Sequence, residues 1–309
     1  MGYYLIRRLS GALITVLVVS FLAYVALTFA PGDAAEALIG ENASADQIAA
    51  LRSQMRLDLP LWQRYWEYIS SALIHGDLGR SLVSGRGVGE LLAERLPSTV
   101  LLALVSMAMA TIVGLGVGLL AASRPGSKLD LAATAGTVLG LALPPYWVAM
   151  LLVMLFSLHL RWLPVFGSGT PAHLVLPSVT LAMPGAATVA RLIRASVLEV
   201  KGSDFVRTAL AKGLSPRRTL ILHVLPNSLI PALTALGLNL SYLVGGAFVV
   251  ETIFAWPGLG RLTVQAIFDR DVPVVMGAVL VVVPICLSVS LLVDLLHAAL
   301  DPRVRHHAL

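Results

Sequence analysis

Six long apolar runs alternate with polar stretches along this chain. They cover Leu9–Ala30, Ser98–Ala121, Leu131–Ser157, Leu174–Ile193, Ser228–Val250 and Val274–Leu296. At about 1.5 Å of rise per residue, each is about long enough to cross a hydrocarbon core of roughly 30 Å. In lipid, helical runs satisfy their own backbone groups, so each run predicts a helix. The pattern therefore predicts an all-α polytopic membrane protein with about six transmembrane helices. Pro144-Pro145 interrupts the third run and should kink or break it, because two N–H donors are missing. The first run follows Arg7 and Arg8, exceeds the roughly 7–15 residues of a signal-peptide core, and ends in a poor cleavage site, Phe29-Ala30-Pro31-Gly32. It reads as a retained helix that starts in the cytoplasm.

The polar stretches divide the chain into residues 1–30 (cytoplasmic N-terminus and first span), an external helical segment 31–97, and a core 98–309 that holds the other five spans, with an internal loop at 194–227. In the external segment, Ser44 and Gln47 fit a capping box, with a helix running to about Met55. Pro60 suits the first turn of a second helix. There Trp62, Tyr65, Trp66, Ile69 and Leu73 recur at spacings of three and four, forming one apolar, aromatic face. That face either packs on the membrane helices, lies among lipid headgroups, or docks an external partner. In the internal loop, Ser203 or Asp204 can cap a short helix from Phe205 to about Lys212, which Gly213 can end in a left-handed conformation. Ser215-Pro216 reads as the start of a second helix through His223 to about Leu225. Two short capped helices are more structure than a connector of two to eight residues requires.

Composition agrees with the pattern. Hydrophobic residues are 57% of the 309 and charged residues 13%, against roughly 25% in a soluble domain. The net charge of +5 could mark a nucleic-acid surface. Its distribution argues for membrane topology instead. The segments that six crossings place on the side of the termini hold Arg7, Arg8, Arg124, Lys128, Arg191, Arg194, Lys201, Arg207, Lys212, Arg217, Arg218, Arg303 and Arg305, with few acids. The other side has nine arginines, no lysine and an excess of acids. Excess Lys and Arg marks the cytoplasm, so both termini are expected inside. The single cysteine, Cys286, excludes a disulfide framework and a thiolate metal cluster.

Catalytic chemistry finds no foothold in the spans. Six of the seven histidines fall in loops or tails, His297 falls at a helix end, and no span holds two acids, which argues against an intramembrane protease. Inverted repeats and intramembrane charges, which would suggest an ion-coupled transporter, are not evident. No Gly-x-x-x-x-Gly-Lys-Ser/Thr phosphate loop is present, so the chain is not itself an ATP motor. No catalytic, cofactor-binding or metal-binding residues are assigned.

The stretch Asp204-Phe-Val-Arg-Thr-Ala-Leu-Ala-Lys-Gly213, followed by His223-Val-Leu-Pro226, resembles the Glu-Ala-Ala loop of binding-protein-dependent ABC importer permeases. Arg207, Thr208 and Ala209 stand where Glu-Ala-Ala would, and His223 replaces an isoleucine. These departures match the B-type permease of dipeptide and oligopeptide importers. The likeness continues through Pro31-Gly32-Asp33, Gly76-Asp77-Leu78-Gly79-Arg80-Ser81, Trp162-Leu163-Pro164, Asn227-Ser-Leu-Ile-Pro231, Glu251-Thr-Ile-Phe-Ala-Trp-Pro-Gly-Leu-Gly-Arg261 and Ala299-Leu-Asp-Pro-Arg303.

The resemblance implies a type I (methionine-permease-like) importer fold in a bacterial inner membrane and a coupling loop formed by Asp204, Phe205, Arg207, Thr208, Ala209, Lys212, Gly213, Ser215, His223 and Pro226. It also implies partners: a second homologous permease, two cytoplasmic ATPases that bind ATP and Mg, and an extracytoplasmic solute-binding protein, all in the lipid bilayer and without nucleic acid. The implied mechanism is alternating access, in which ATP biases two states through differential affinity. The solute expected is a di- or oligopeptide; nickel or metal chelates, glutathione and sugars are the alternatives within the family. Tyr146, Trp147, Asn239, Ser241 and Tyr242 are candidates for lining the pathway, or for ordinary interhelical hydrogen bonds. Glu251, Trp256, Pro257 and Gly258 are candidates for an external gate or receptor contact, with Trp256-Pro257-Gly258 also reading as a tight turn. Gly114 and Gly118, and Gly136 and Gly140, allow close helix approach, within this chain or between subunits.

Overall fold

The computed structural model describes residues 2–29, 44–54 and 58–300. In chain order the helices are α1 (Gly2–Phe29), α2 (Ala45–Gln54), α3 (Leu61–Ser70), α4 (Val88–Ser123), α5 (Lys128–Ala142), α6 (Pro145–Leu152), α7 (Pro171–Lys201), α8 (Asp204–Ala211), α9 (Pro216–Thr219), α10 (Leu225–Ile253), α11 (Leu259–Phe268) and α12 (Val272–Leu300). Within α1, α4, α7 and α12, four helical segments are long and apolar enough to cross a membrane. The expected break at Pro144-Pro145 is a bend of 109° between α5 and the stretch Pro145–His159, a fifth crossing if the bent pair forms one span. The 29 residues of α10 have the length for another.

Boundaries moved where proline proved less disruptive than expected. The second span starts at Val88, and Pro97 lies inside α4, so the 97/98 division falls within a helix. Pro177 and Pro184 sit inside α7, as the single run Leu174–Ile193 requires.

The chain forms two compact units. One comprises Met1–Thr99 and Pro257–Ser288, the other Val100–Trp256, each with a short piece of the C-terminal region. In the first, the capping box forms: Ser44 N–H donates to Gln47 Oε1 at 3.0 Å and Gln47 N–H to Ser44 Oγ at 3.3 Å. The aromatic face of α3 is divided. Tyr65 and Ile69 are buried with Tyr24 and Met276, whereas Trp62, Trp66 and Leu73 are exposed. The Tyr65 hydroxyl donates to Leu17 O at 2.9 Å and lies 2.9 Å from Ser20 Oγ, giving a buried polar tip its partners. Beyond α3, Ser81 donates to Asp271 Oδ2 at 2.5 Å and Leu82 N–H to Asp271 Oδ1 at 3.1 Å. This buried carboxylate pins the Gly76–Ser81 stretch to the start of α12.

In the second unit, α7 packs against α5 and α10. Glycines set the spacing to α4: a Cβ on Gly114 would stand 2.7 Å from Val189 Cβ, and one on Gly118 2.6 Å from Ala190 O. On α5, a Cβ at Gly140 would meet Ala187, while one at Gly136 meets nothing within 4 Å. Three of the four small residues thus serve approach within the chain.

Candidate functional site: the loop between α7 and α10

The loop begins where α7 ends, and two ties hold that end. Arg194 grips Asp130 through both nitrogens, Nε to Oδ1 at 2.5 Å and Nη2 to Oδ2 at 2.8 Å. Asp130 is buried at the first turn of α5, where it also accepts from Gly126 N–H at 2.9 Å. The guanidinium, then the Gly126 amide, hold its carboxyl down to about 2. About two turns of α7 further on, Lys201 Nζ donates to Ala122 O at 2.9 Å, satisfying a carbonyl at the end of α4. These residues had been read only as topology charges. No local pattern marks the pairing, because Asp130 and Arg194 are 64 positions apart.

Ser203 occupies the N-cap position of α8, but its hydroxyl does not cap the helix. It donates backward to Val200 O at 2.6 Å, which corrects the expected side-chain cap by Ser203. Asp204 opens the helix, and Arg207 reaches its carboxylate at 3.4 Å, an exposed pair of little energetic weight. Two side chains anchor α8. Val206 and Ala209 are buried, Val206 in a cluster with Ile193, Val197 and Val224. Ala209, named above as a coupling-loop residue, therefore faces inward. Phe205 and Leu210 are 47% and 44% exposed, and Arg207, Thr208 and Lys212 are open to solvent.

Gly213 ends α8 as expected, at φ +83°. Its N–H donates to Leu210 O at 3.0 Å, and Leu214 N–H to Ala209 O at 3.3 Å. This is a Schellman motif, in which the residue just past the helix, here Gly213, takes the left-handed conformation. Ser215 then caps the next helix, accepting from Arg218 N–H at 3.4 Å. The second short helix is not separate. From α9 the chain passes through a π-helical turn, Leu220–Val224, directly into α10. Pro226 has no N–H to donate, and the widened turn accommodates its ring. Asn227 Nδ2 donates to His223 O at 2.7 Å, supplying a bond in this region.

The other candidates lie apart from this loop. Tyr146 and Trp147 are 51% and 45% exposed at the start of α6. Asn239 is half-buried on α10, and its amide nitrogen would stand 2.5 Å from a Cβ on Gly185. The side chains of Ser241 and Tyr242 lie outside the described residues. Of the candidates for an external gate or receptor contact, Glu251 is fully buried and Trp256 is only 4% exposed. Gly258 is buried and Pro257 partly so. α10 closes in a second Schellman motif, with Ala255 at φ 50° and Trp256 N–H donating to Glu251 O at 2.8 Å. Among the described residues, no group of three His, Cys, Asp or Glu is placed to hold a metal.

Long apolar helices, one sharply broken, with a short anchored helix presented at the end of α7, define a membrane permease of the type I importer architecture. Solved structures with this fold include an inward-facing form of the MetNI methionine ABC transporter (TM-score 0.57, 24% identity, 68% of this chain and 96% of that one). An amino acid ABC transporter with histidines matches at a TM-score of 0.53 and 18% identity, over 68% of this chain and 94% of that one. The chain belongs to the binding-protein-dependent transport system inner membrane component family, whose model matches residues 114–306; the family's N-terminal model matches residues 1–103. Among curated relatives, the glutathione transport system permease protein GsiC of Escherichia coli strain K12 is 40% identical over 303 residues, covering 98% of this chain and 99% of the relative. The protein of the same name from Shigella dysenteriae serotype 1 matches equally. The chain is thus a multi-pass inner-membrane permease subunit of an ABC importer.

Proposed function

We propose that this subunit forms half of a pathway importing short peptides, glutathione among them, and that α8 carries the stroke of a cytoplasmic ATPase into the spans. Two observations support the solute class: the Arg207-Thr208-Ala209 variant of the loop, and 40% identity over nearly full length to permeases named for glutathione transport. The coupling role rests chiefly on the build of α8, with a buried side of Val206 and Ala209, an exposed side of Phe205, Thr208, Leu210 and Lys212, and a fixed stop at Gly213. A helix so anchored moves as a rigid body. Its exposed apolar residues suit a groove on a partner, while the Arg194–Asp130 and Lys201–Ala122 ties pass displacement to α5 and α4.

In this reading the loop and both termini are cytoplasmic, as the Lys/Arg distribution supports. Two ATPase subunits bind ATP and Mg, a second, homologous but different permease completes the pathway, and an external binding protein delivers solute. ATP draws the ATPases together, the α8 helices follow, and the pathway opens outward; hydrolysis resets it. Tyr146, Trp147 and Asn239 remain candidates for the pathway lining.

The test is uptake by the complete complex in proteoliposomes, with its binding protein on the outside. ATP-dependent accumulation of labelled glutathione or a dipeptide, blocked by excess of the same unlabelled solute, is expected. Accumulation of a metal chelate or an oligosaccharide with no peptide uptake would overturn the solute assignment.

A further inference from the structure

A groove within the second unit runs between α4, α5 and α7. It has a volume of about 420 Å³ and a lining almost wholly apolar and small, including Val113, Val117, Gly136, Ala182, Ala186 and Ala190. A second hollow of about 80 Å³ shares Val117, Ala133, Thr137 and Ala190 with it, and adds Arg191 and Arg194. The two adjoin through these four shared residues and are taken together as one groove. Along α7 it extends from Val179 to Arg194, about 22 Å at 1.5 Å per residue, comparable to one leaflet with its headgroups. One end is therefore hydrocarbon-like and lies among membrane spans, and the other is cationic.

The two arginines differ. Arg194 is neutralised by Asp130. Arg191 is exposed and makes no ion pair among the described residues. A guanidinium at the rim of an apolar groove fits an acidic headgroup above an alkyl chain, and basic pockets between spans on the cytoplasmic side are the recognised form of such sites. A transmembrane helix fits less well. An apolar helix brings no charge to Arg191.

We propose that this groove binds an anionic phospholipid of the cytoplasmic leaflet, with one acyl chain between α4, α5 and α7 and the phosphate on Arg191. The leaflet rests on the cytoplasmic placement of the α7–α10 loop proposed above; the lipid site itself does not. Two substitutions separate the halves of the site. Arg191→Gln removes the charge. Gly136→Leu fills the groove, and a Cβ there meets nothing within 4 Å, so the change is accommodated.

The experiment is native mass spectrometry of the intact importer complex, delipidated and then titrated with phosphatidylglycerol or with phosphatidylcholine of the same acyl chains. The wild type should retain phosphatidylglycerol in preference. Arg191→Gln should weaken that retention about five-fold, the weight of one basic residue at an anionic surface, and abolish the preference. Gly136→Leu should lower retention of both lipids. Unchanged phosphatidylglycerol retention in both variants would overturn the proposal. So would efficient cross-linking of a cysteine at position 136 to the second permease, which would give the groove to a protein helix. Separately, labelling of a cysteine at position 215 from outside intact cells would overturn the leaflet, whatever the lipid titrations show.

Discussion

At the scale of single residues, one backbone angle and one carboxylate carry most of the argument. Gly213 has open space around its Cα, so a side chain there meets no obstacle; the obstacle is φ +83°. Forcing a β-branched residue into that region costs about 1–3 kcal/mol. We expect Gly213→Val to insert normally, retain its ATPase poorly through purification and fail in uptake, whereas Gly213→Asn, which tolerates the left-handed region, should keep most of both. Full uptake by Gly213→Val would remove the coupling role of α8. Ser203→Ala should be nearly silent in the same assays, because the Ser203 hydroxyl bonds to Val200 O and leaves α8 uncapped already. Asp130 supplies a pH statement. Its carboxyl is lowered from an ordinary 3.8 to about 2, so its contribution is complete above 3.8 and is lost only as pH falls towards about 2. The stability difference between the wild type and Asp130→Asn should therefore be constant from pH 5 to pH 8 in thermal unfolding of the purified complex, and a difference that changes within that window would contradict the pairing.

Among the elements, the helices that sequence placed best are those whose signals are local. The Ser44–Gln47 box, the break at Pro144-Pro145 and the stop at Gly213 each depend on a few neighbouring residues, and each formed. The boundaries that shifted depend on context. Pro97 and Pro226 look like helix ends, yet one lies inside α4 and the other is absorbed by a π-helical turn. The stripe on α3 was legible as a stripe, but its division was not, because burial of Tyr65 depends on Leu17 and Ser20 more than forty positions away. That division predicts unequal effects. Tyr65→Ala should loosen α3 from α1, at a cost of about 3 kcal/mol for a large buried aromatic, and expose the segment to limited proteolysis from outside. Trp66→Ala, at a position 64% exposed, should leave the proteolytic pattern unchanged. Equal protection in both variants would show that α3 is held some other way.

For the whole molecule, topology was read from charge counting and family from ordered motifs, and the second now stands on matches over nearly the full chain. The pairing of Asp130 with Arg194 was beyond reach, since only the packed bundle brings those positions together. Sidedness is checked directly: an impermeant thiol reagent should label a cysteine at position 44 in intact cells and one at position 215 only after permeabilisation, and the reverse would invert the assignment. The two ties at the foot of α7 also bear on thermodynamic economy. A permease that docks its ATPase but transmits displacement loosely would hydrolyse nucleotide without moving solute. In the proposed assembly, Lys201→Met, which removes the bond to Ala122 O while keeping a long apolar stem, should therefore leave ATPase retention and turnover near wild type and lower uptake several-fold. The number of ATP molecules consumed per solute would rise, so that the yield of transport, rather than its occurrence, becomes the property these side chains set.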